Sequence, residues 1–150
     1  MGTAGSTSGL VAGLLAAVAA EEAMAFRLSA DAAALRYGCL RDRLLAVVRQ
    51  DRRHARLPLE AAARRQGESP QPGGALRGAH DALPGPPFLR LQEDREAKLA
   101  LAARYRALGH EAEMVGDREA AALCRGLAAE ETRHAQVLLD LLAATDPYHN

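Results

Sequence analysis

The chain has no tryptophan and only five aromatic residues in 150: Phe26, Tyr37, Phe88, Tyr105 and Tyr148. That is too few for a surface on which bases could stack. Formal net charge is zero, from 19 basic and 19 acidic residues, so no overall field draws the protein to nucleic acid or to an anionic membrane. Two cysteines, Cys39 and Cys124, make neither a secreted disulfide scaffold nor a zinc spacing. Both read as small, buried apolar residues. β-branched residues are scarce, which leaves little to build strands from. Lysine is nearly missing, with 18 arginines against the single Lys98.

Alanine dominates what is there. Its 34 copies lie in stretches that also carry Leu, Arg and Glu, the strong helix formers, so the chain reads as all-α. A length of 150 residues is one domain's worth and suffices for a core without disulfide staples.

Targeting signals are weak. Leu10–Ala20 has the length of a signal-peptide core, but nothing before Arg27 is basic. Met1–Ser6 fits a myristoylation pattern without a neighbouring basic patch. No apolar stretch reads as reaching the roughly 20 residues that span a bilayer. The expectation is a cytoplasmic protein with residues 1–8 and 146–150 as tails around one domain at 9–145.

Within that domain, apolar residues recur at steps of four and three, the period of a bundle-facing helix. They run through Leu14, Val18, Ala25, Leu28, Ala32 and Leu35, with Ser8 as expected N-cap and a stop at Tyr37-Gly38. A second helix continues as Leu40, Leu44, Val47, Asp51 and His54, with Pro58 expected to kink or end it and Gly67 to close it. A third passes Leu91, Lys98, Leu101, Tyr105 and Leu108. A fourth starts at an Asp117 cap and passes Ala120, Cys124, Leu127, Glu131, His134, Leu138 and Leu141. The alanines at 25, 32 and 120 imply close helix packing, and exposed Ala-rich faces fit a homodimer.

Residues 67–87 hold five of the seven prolines and five of the thirteen glycines. The two flanking turns are short, so each makes an antiparallel hairpin, whereas this connection is long enough to run the roughly 37 Å of a 25-residue helix. The second and third helices can then lie parallel. The expectation is a four-helix bundle of two hairpins joined by one crossover, as opposed to a simple up-down-up-down bundle.

Two seams carry polar residues. Glu131 and His134 are three apart on one face of the fourth helix, where both could reach a metal ion in the bundle centre. Asp51 and His54 repeat that spacing on the second. Aligning His54 with His134 also pairs Leu44 with Cys124, Val47 with Leu127 and Asp51 with Glu131, so the hairpins look like degenerate copies. Glu21 and Glu22 interrupt the alanine-rich first helix about as far before the first turn as Asp51 lies after it. The bland reading is a set of hydrogen-bonded or solvated pairs at the bundle edge.

With these residues in place, the chain resembles the rubrerythrin and ferritin-like superfamily. Its strongest stretch is the second hairpin, from Arg95 to Leu142, with Tyr105 on one helix and Glu130-Glu131-Thr132-Arg133-His134 on the next. The resemblance implies that each hairpin supplies a Glu and a Glu-x-x-His to two iron or manganese ions, with ferroxidase or peroxide chemistry. Carried over, the ligands are Glu22 (or Glu21 in its stead), Asp51, His54, Glu131 and His134. The fourth carboxylate is missing: its register falls on Lys98, and a protonated ammonium is a very poor ligand. Glu93 and Glu96 are near, but Glu96 points about 200° away on the helix. The alternative for Lys98 is a surface residue paired with Asp94.

Charge arithmetic sets a limit. Three carboxylates and one ammonium leave −2 in a poorly solvated centre, which one divalent ion, or protonation of both histidines, would neutralise. Two divalent ions would overshoot to +2. Two readings stand: a partial site for at most one iron or manganese ion, with redox or metal-handling chemistry, and a metal-free scaffold with Lys98 as central cation and a structural or binding role. Catalytic residues, substrate and redox partner stay open. The arginines at 49, 52, 53 and 56 could hold an anion or form a solvated face, and His80, His110 and His149 read as surface histidines.

Overall fold

A computed structural model of the chain describes residues 6–67 and 85–145, and every regular element in them is a helix: α1 (Thr7–Ala34), α2 (Gly38–Gln66), α3 (Pro87–Met114) and α4 (Arg118–Thr145). The helix ends follow ordinary capping chemistry. Ser6, and not Ser8, caps α1, its hydroxyl accepting from Gly9 N at 3.1 Å. Asp117 caps α4 as expected, accepting from Ala120 N at 3.0 Å. Gly67 ends α2 in the left-handed conformation at φ 70°, and Gly116 turns α3 into α4 at φ 77°.

Two expected boundaries move. The first turn lies at residues 35–37, so Gly38 opens α2 instead of stopping α1. Arg41 Nη2 fastens that turn by donating to Leu35 O at 2.9 Å. Pro58 does not end α2, which continues two more turns to Gln66. Burial of Pro58 with Ala61, Ala62 and Ala63 holds that end of α2 against the core, although the ring removes the N–H that His54 O would normally accept.

Directions follow from partners across the helices. Along α1, Gly13 approaches Leu108, Ala16 O accepts from Arg104, Arg27 pairs with Asp94 and Asp31 with Arg90. The numbers rise on α1 as they fall on α3, so these helices are antiparallel. The pairs Arg43–Asp140, Arg64–Glu119 and Arg65–Asp117 make α2 and α4 antiparallel in the same way. α2 and α3 therefore run parallel, and the connection between them leaves one end of the bundle and returns at the other. This is the expected architecture of two hairpins and one long crossover; the path of the crossover lies outside the described residues, as do both tails, His80 and His149.

The seam residues expected on all four helices are buried, apart from the partly buried Leu40 and His54. Cys124 is buried and its thiol is pushed up to about 11, chiefly by that burial, whereas Cys39 is exposed beside the first turn and does not fill the core. His110 and the four arginines of the α2 stripe are exposed, the solvated reading of each. By length and composition α1 could cross a membrane, with a mean hydropathy of 1.6 over its best window. Counting only the run to Ala20 understated it, because alanines continue past Glu21 and Glu22.

The core is divided. One apolar cluster gathers Leu10, Leu14, Tyr105, Leu108, Cys124 and Leu127; the other gathers Leu28, Leu35, Leu44, Leu91, Leu138 and Leu141. Glu21, Asp51, Lys98, Glu131 and His134 lie between them in every helix's numbering, all fully buried.

A smaller polar set sits within the second half, where Arg27 Nη2 meets Asp94 Oδ1 at 2.8 Å and Arg90 Nε meets Asp31 Oδ1 at 3.1 Å. Burial, then the neighbouring Asp31 carboxyl, push Asp94 up to about 8 despite Arg27. A carboxyl raised on folding contributes stability that is complete below its unfolded pKa, about 4, and is lost as pH rises through about 8. Asp94→Asn removes that ionisation. Urea unfolding near pH 5 and near pH 8 is expected to show the wild-type decline shrinking by about 3–4 kcal/mol in the variant; equal declines would mean that Asp94 is already ionised in the folded protein.

Candidate metal centre

Each side chain of the central layer is placed by helical period. Asp51 and His54 lie one turn apart on α2, Glu131 and His134 one turn apart on α4, and antiparallel packing of these helices brings the pairs face to face. α1 contributes Glu21 and α3 contributes Lys98 and Tyr105. All four helices thus meet in one polar cross-section.

Lys98 is at its middle, completely buried. Its Nζ donates to Asp51 Oδ1 at 2.6 Å and to Glu131 Oε2 at 2.7 Å, and lies 3.9 Å from Glu21 Oε2. The alternative of a surface lysine paired with Asp94 is overturned, since Asp94 turns to Arg27. Burial alone would lower the lysine's pKa, but the charges of Asp51, Glu131 and Glu21 outweigh it and hold the ammonium protonated.

Beyond Lys98, Glu21 accepts from the Tyr105 hydroxyl at 3.0 Å. Glu21, the second choice on α1, is therefore the residue of the centre. Glu22, expected first, is only half-buried and lies outside it. Burial and the charge of Glu131 push Glu21 up to about 8, against the pull of Lys98. Tyr105 is raised as well, by burial and by Glu21.

On the other side stand the histidines. His134 Nδ1 is 3.0 Å from Asp51 Oδ1 and 3.6 Å from Glu131 Oε1, and His54 Nδ1 is 3.5 Å from that same Oε1. The two imidazoles stack with centroids 5.4 Å apart and planes 12° apart. His134 Nε2 reaches Gln50 Oε1 at 2.6 Å; an amide oxygen only accepts, so this nitrogen carries the proton. Burial would lower His134, but the Asp51 and Glu131 carboxylates raise it on balance. Burial would raise Glu131, yet the imidazoles of His134 and His54 and the ammonium hold it well below the usual carboxylate range.

Of the six expected positions, Asp51, His54, Glu131 and His134 come together, each with one ligand atom within 4.8 Å of the others. The set could hold a metal ion. Four buried atoms in it make no well-formed hydrogen bond: Asp51 Oδ2, and also His54 Nδ1, Glu131 Oε1 and His134 Nδ1, which meet opposing groups only in the ion-pair contacts just given. Gln50 went unnoticed in the sequence, where a lone glutamine amid arginines carries no signal. Comparison with known proteins finds no match: no family model, curated protein or solved structure is similar to this chain.

A buried cation shared by two carboxylates is costly to delete, because removing it strands both charges. Lys98→Ala is expected to destabilise the chelator-treated protein by about 3–5 kcal/mol, measured by urea unfolding at neutral pH. A loss below about 0.5 kcal/mol, usual for surface changes, would contradict the buried placement.

Proposed function

We propose that this protein is a ferritin-like bundle whose centre binds a single divalent metal ion through Asp51, His54, Glu131 and His134. The observation that carries the reading is the set of four unsatisfied ligand atoms, one on each of those residues, in a layer otherwise closed to solvent. Buried polar atoms are nearly always paired in folded proteins. Four orphans converging from two carboxylates and two imidazoles are the donors a transition ion takes.

The donor set fits one ion and not two. Lys98 occupies Asp51 Oδ1 and Glu131 Oε2, and with Glu21 ionised the layer carries −3 and +1. One divalent ion makes it neutral; a second would leave +2 in a medium that solvates charge poorly. When bound, the ion supplies a Lewis-acidic or redox-active centre. Asp51 and Glu131 would neutralise it, His54 and His134 complete its coordination, and Lys98 keeps the outer carboxylate oxygens in place. Iron and manganese are the ions that the ferritin-like resemblance implies, and metal handling or single-metal redox chemistry is the corresponding activity.

A metal-free scaffold is the second reading, and the short Lys98 contacts favour it. With Glu21 protonated and His134 charged, Lys98 and His134 balance Asp51 and Glu131 with no ion present. Metal content separates the two. Protein purified without chelator, and again after loading with Fe(II) and Mn(II), is expected to hold close to one ion per chain by plasma mass spectrometry. Lys98→Glu, which restores a fourth carboxylate, is expected to raise that to two. Two ions in the wild type would overturn the charge argument, and none after loading would leave the scaffold reading.

A further inference from the structure

The single-ion reading does not say which class of ion the centre accepts, and the following inference rests on that reading. We infer that Asp51, His54, Glu131 and His134 form a closed, four-coordinate site for a redox-inert ion of the zinc type, tying α2 to α4, instead of a six-coordinate iron or manganese site.

The donors available to an ion are few. Lys98 Nζ engages Asp51 Oδ1 at 2.6 Å and Glu131 Oε2 at 2.7 Å. An oxygen that already accepts from an ammonium is a poorer donor to a second cation, so each carboxylate offers chiefly its other oxygen: Asp51 Oδ2 and Glu131 Oε1, both buried and without a well-formed hydrogen bond. Gln50 holds the Nε2 proton of His134 at 2.6 Å, so Nδ1, which faces Asp51 Oδ1 at 3.0 Å, is the nitrogen that would turn to an ion. An outer partner of this kind fixes tautomer and ring orientation at metal-bound histidines. His54 contributes its own unpartnered Nδ1. The total is two oxygens and two nitrogens.

Glu21 could have raised the count, since its Oε2 also lacks a hydrogen-bond partner, but it lies outside the group of four ligand atoms. Its Oε1 accepts from Tyr105 at 3.0 Å, and its Oε2 lies on the far approach to Lys98 at 3.9 Å. Solvent could have raised it too, but Asp51, Glu131 and His134 are at most 1% exposed, and only His54 reaches towards the surface.

Two of the spacings agree with the count, and all four ligand atoms lie within 4.8 Å of one another. A tetrahedral ion with ligands at about 2.0–2.1 Å needs its ligand atoms roughly 3.3 Å apart. Glu131 Oε1 lies 3.5 Å from His54 Nδ1 and 3.6 Å from His134 Nδ1. Four protein ligands with no open position are the arrangement of structural zinc sites, whereas iron and manganese chemistry uses added carboxylate or water ligands and open positions. Two ligands come from each hairpin, so the ion would join the halves of the bundle as a cross-link.

Cobalt(II) reports the geometry directly, because tetrahedral Co(II) absorbs far more strongly in the visible than six-coordinate Co(II). Titration of the full chain with Co(II) is expected to give intense visible bands that saturate at one equivalent and vanish when Zn(II) is added. Saturation at one equivalent with only weak bands would overturn the four-coordinate inference and leave the single-ion reading standing. Failure of the chain to bind either Co(II) or Zn(II) would overturn both. Lys98→Met frees the two outer oxygens, and its Co(II) bands are expected to weaken several-fold as coordination expands; undiminished bands would overturn the role given to the ammonium. Should circular dichroism show that variant unfolded, the wild-type spectrum decides by itself.

Discussion

One ammonium group between two carboxylates organises the middle of this bundle. Lys98 reaches from α3 to Asp51 on α2 and Glu131 on α4, and so connects the two hairpins through a charge that cannot diffuse away. Taking an ion of this size out of water costs several kcal/mol even after the protein relaxes, and three or more such groups share the layer. A bundle seeking only stability would fill that cross-section with leucine, as it does on both sides. The expense is the reason to read the layer as functional.

The second polar set shows what a merely structural arrangement looks like. Arg27 and Arg90 each face one of the buried carboxylates Asp94 and Asp31, and both guanidiniums reach partly into solvent, with side chains 27% and 14% exposed. Two guanidiniums face two carboxyl groups there, and no imidazole is present. The central layer differs in each respect: its cation is sealed, its carboxylates outnumber it, and two stacked histidines stand against the carboxylates with ligand nitrogens unused. Proximity to an apolar core is common to both. Asp94 has unpartnered carboxyl oxygens too, but among the described residues only the centre sets imidazole nitrogens beside such oxygens.

Most of this was legible from the chain. Four-three alternation named the buried seam on α4, where apolar residues gather on one face and charged ones on the other. The long proline-rich connection between two short turns implied parallel α2 and α3, and the lone lysine among eighteen arginines drew attention to residue 98. What failed did so where period carries little information. Glu21 and Glu22 sit in an alanine-rich helix that is apolar nearly all round, and a step of 100° between adjacent residues cannot be resolved without a polar face to set the phase. Gln50 lies beside Asp51 in sequence, yet its bond to His134 depends on how α4 packs. Pro58 stayed inside α2 because burial of its neighbours outweighed one missing hydrogen bond.

The lysine at the centre also changes what the layer asks of its folding. Four carboxylates without metal repel one another and leave an apo bundle strained until ions arrive. Here the apo layer can neutralise itself: Lys98 is fixed, His134 is drawn towards its charged form and Glu21 towards its neutral one. The polypeptide can therefore complete its bundle before meeting an ion. Binding one divalent ion then requires the layer to give up protons, since His134 must offer a lone pair and Glu21 must take up charge for the sum to vanish. Lys98 cannot join that exchange without abandoning both carboxylates. It sets the upper limit on positive charge in the centre, and so the number of ions the centre can hold.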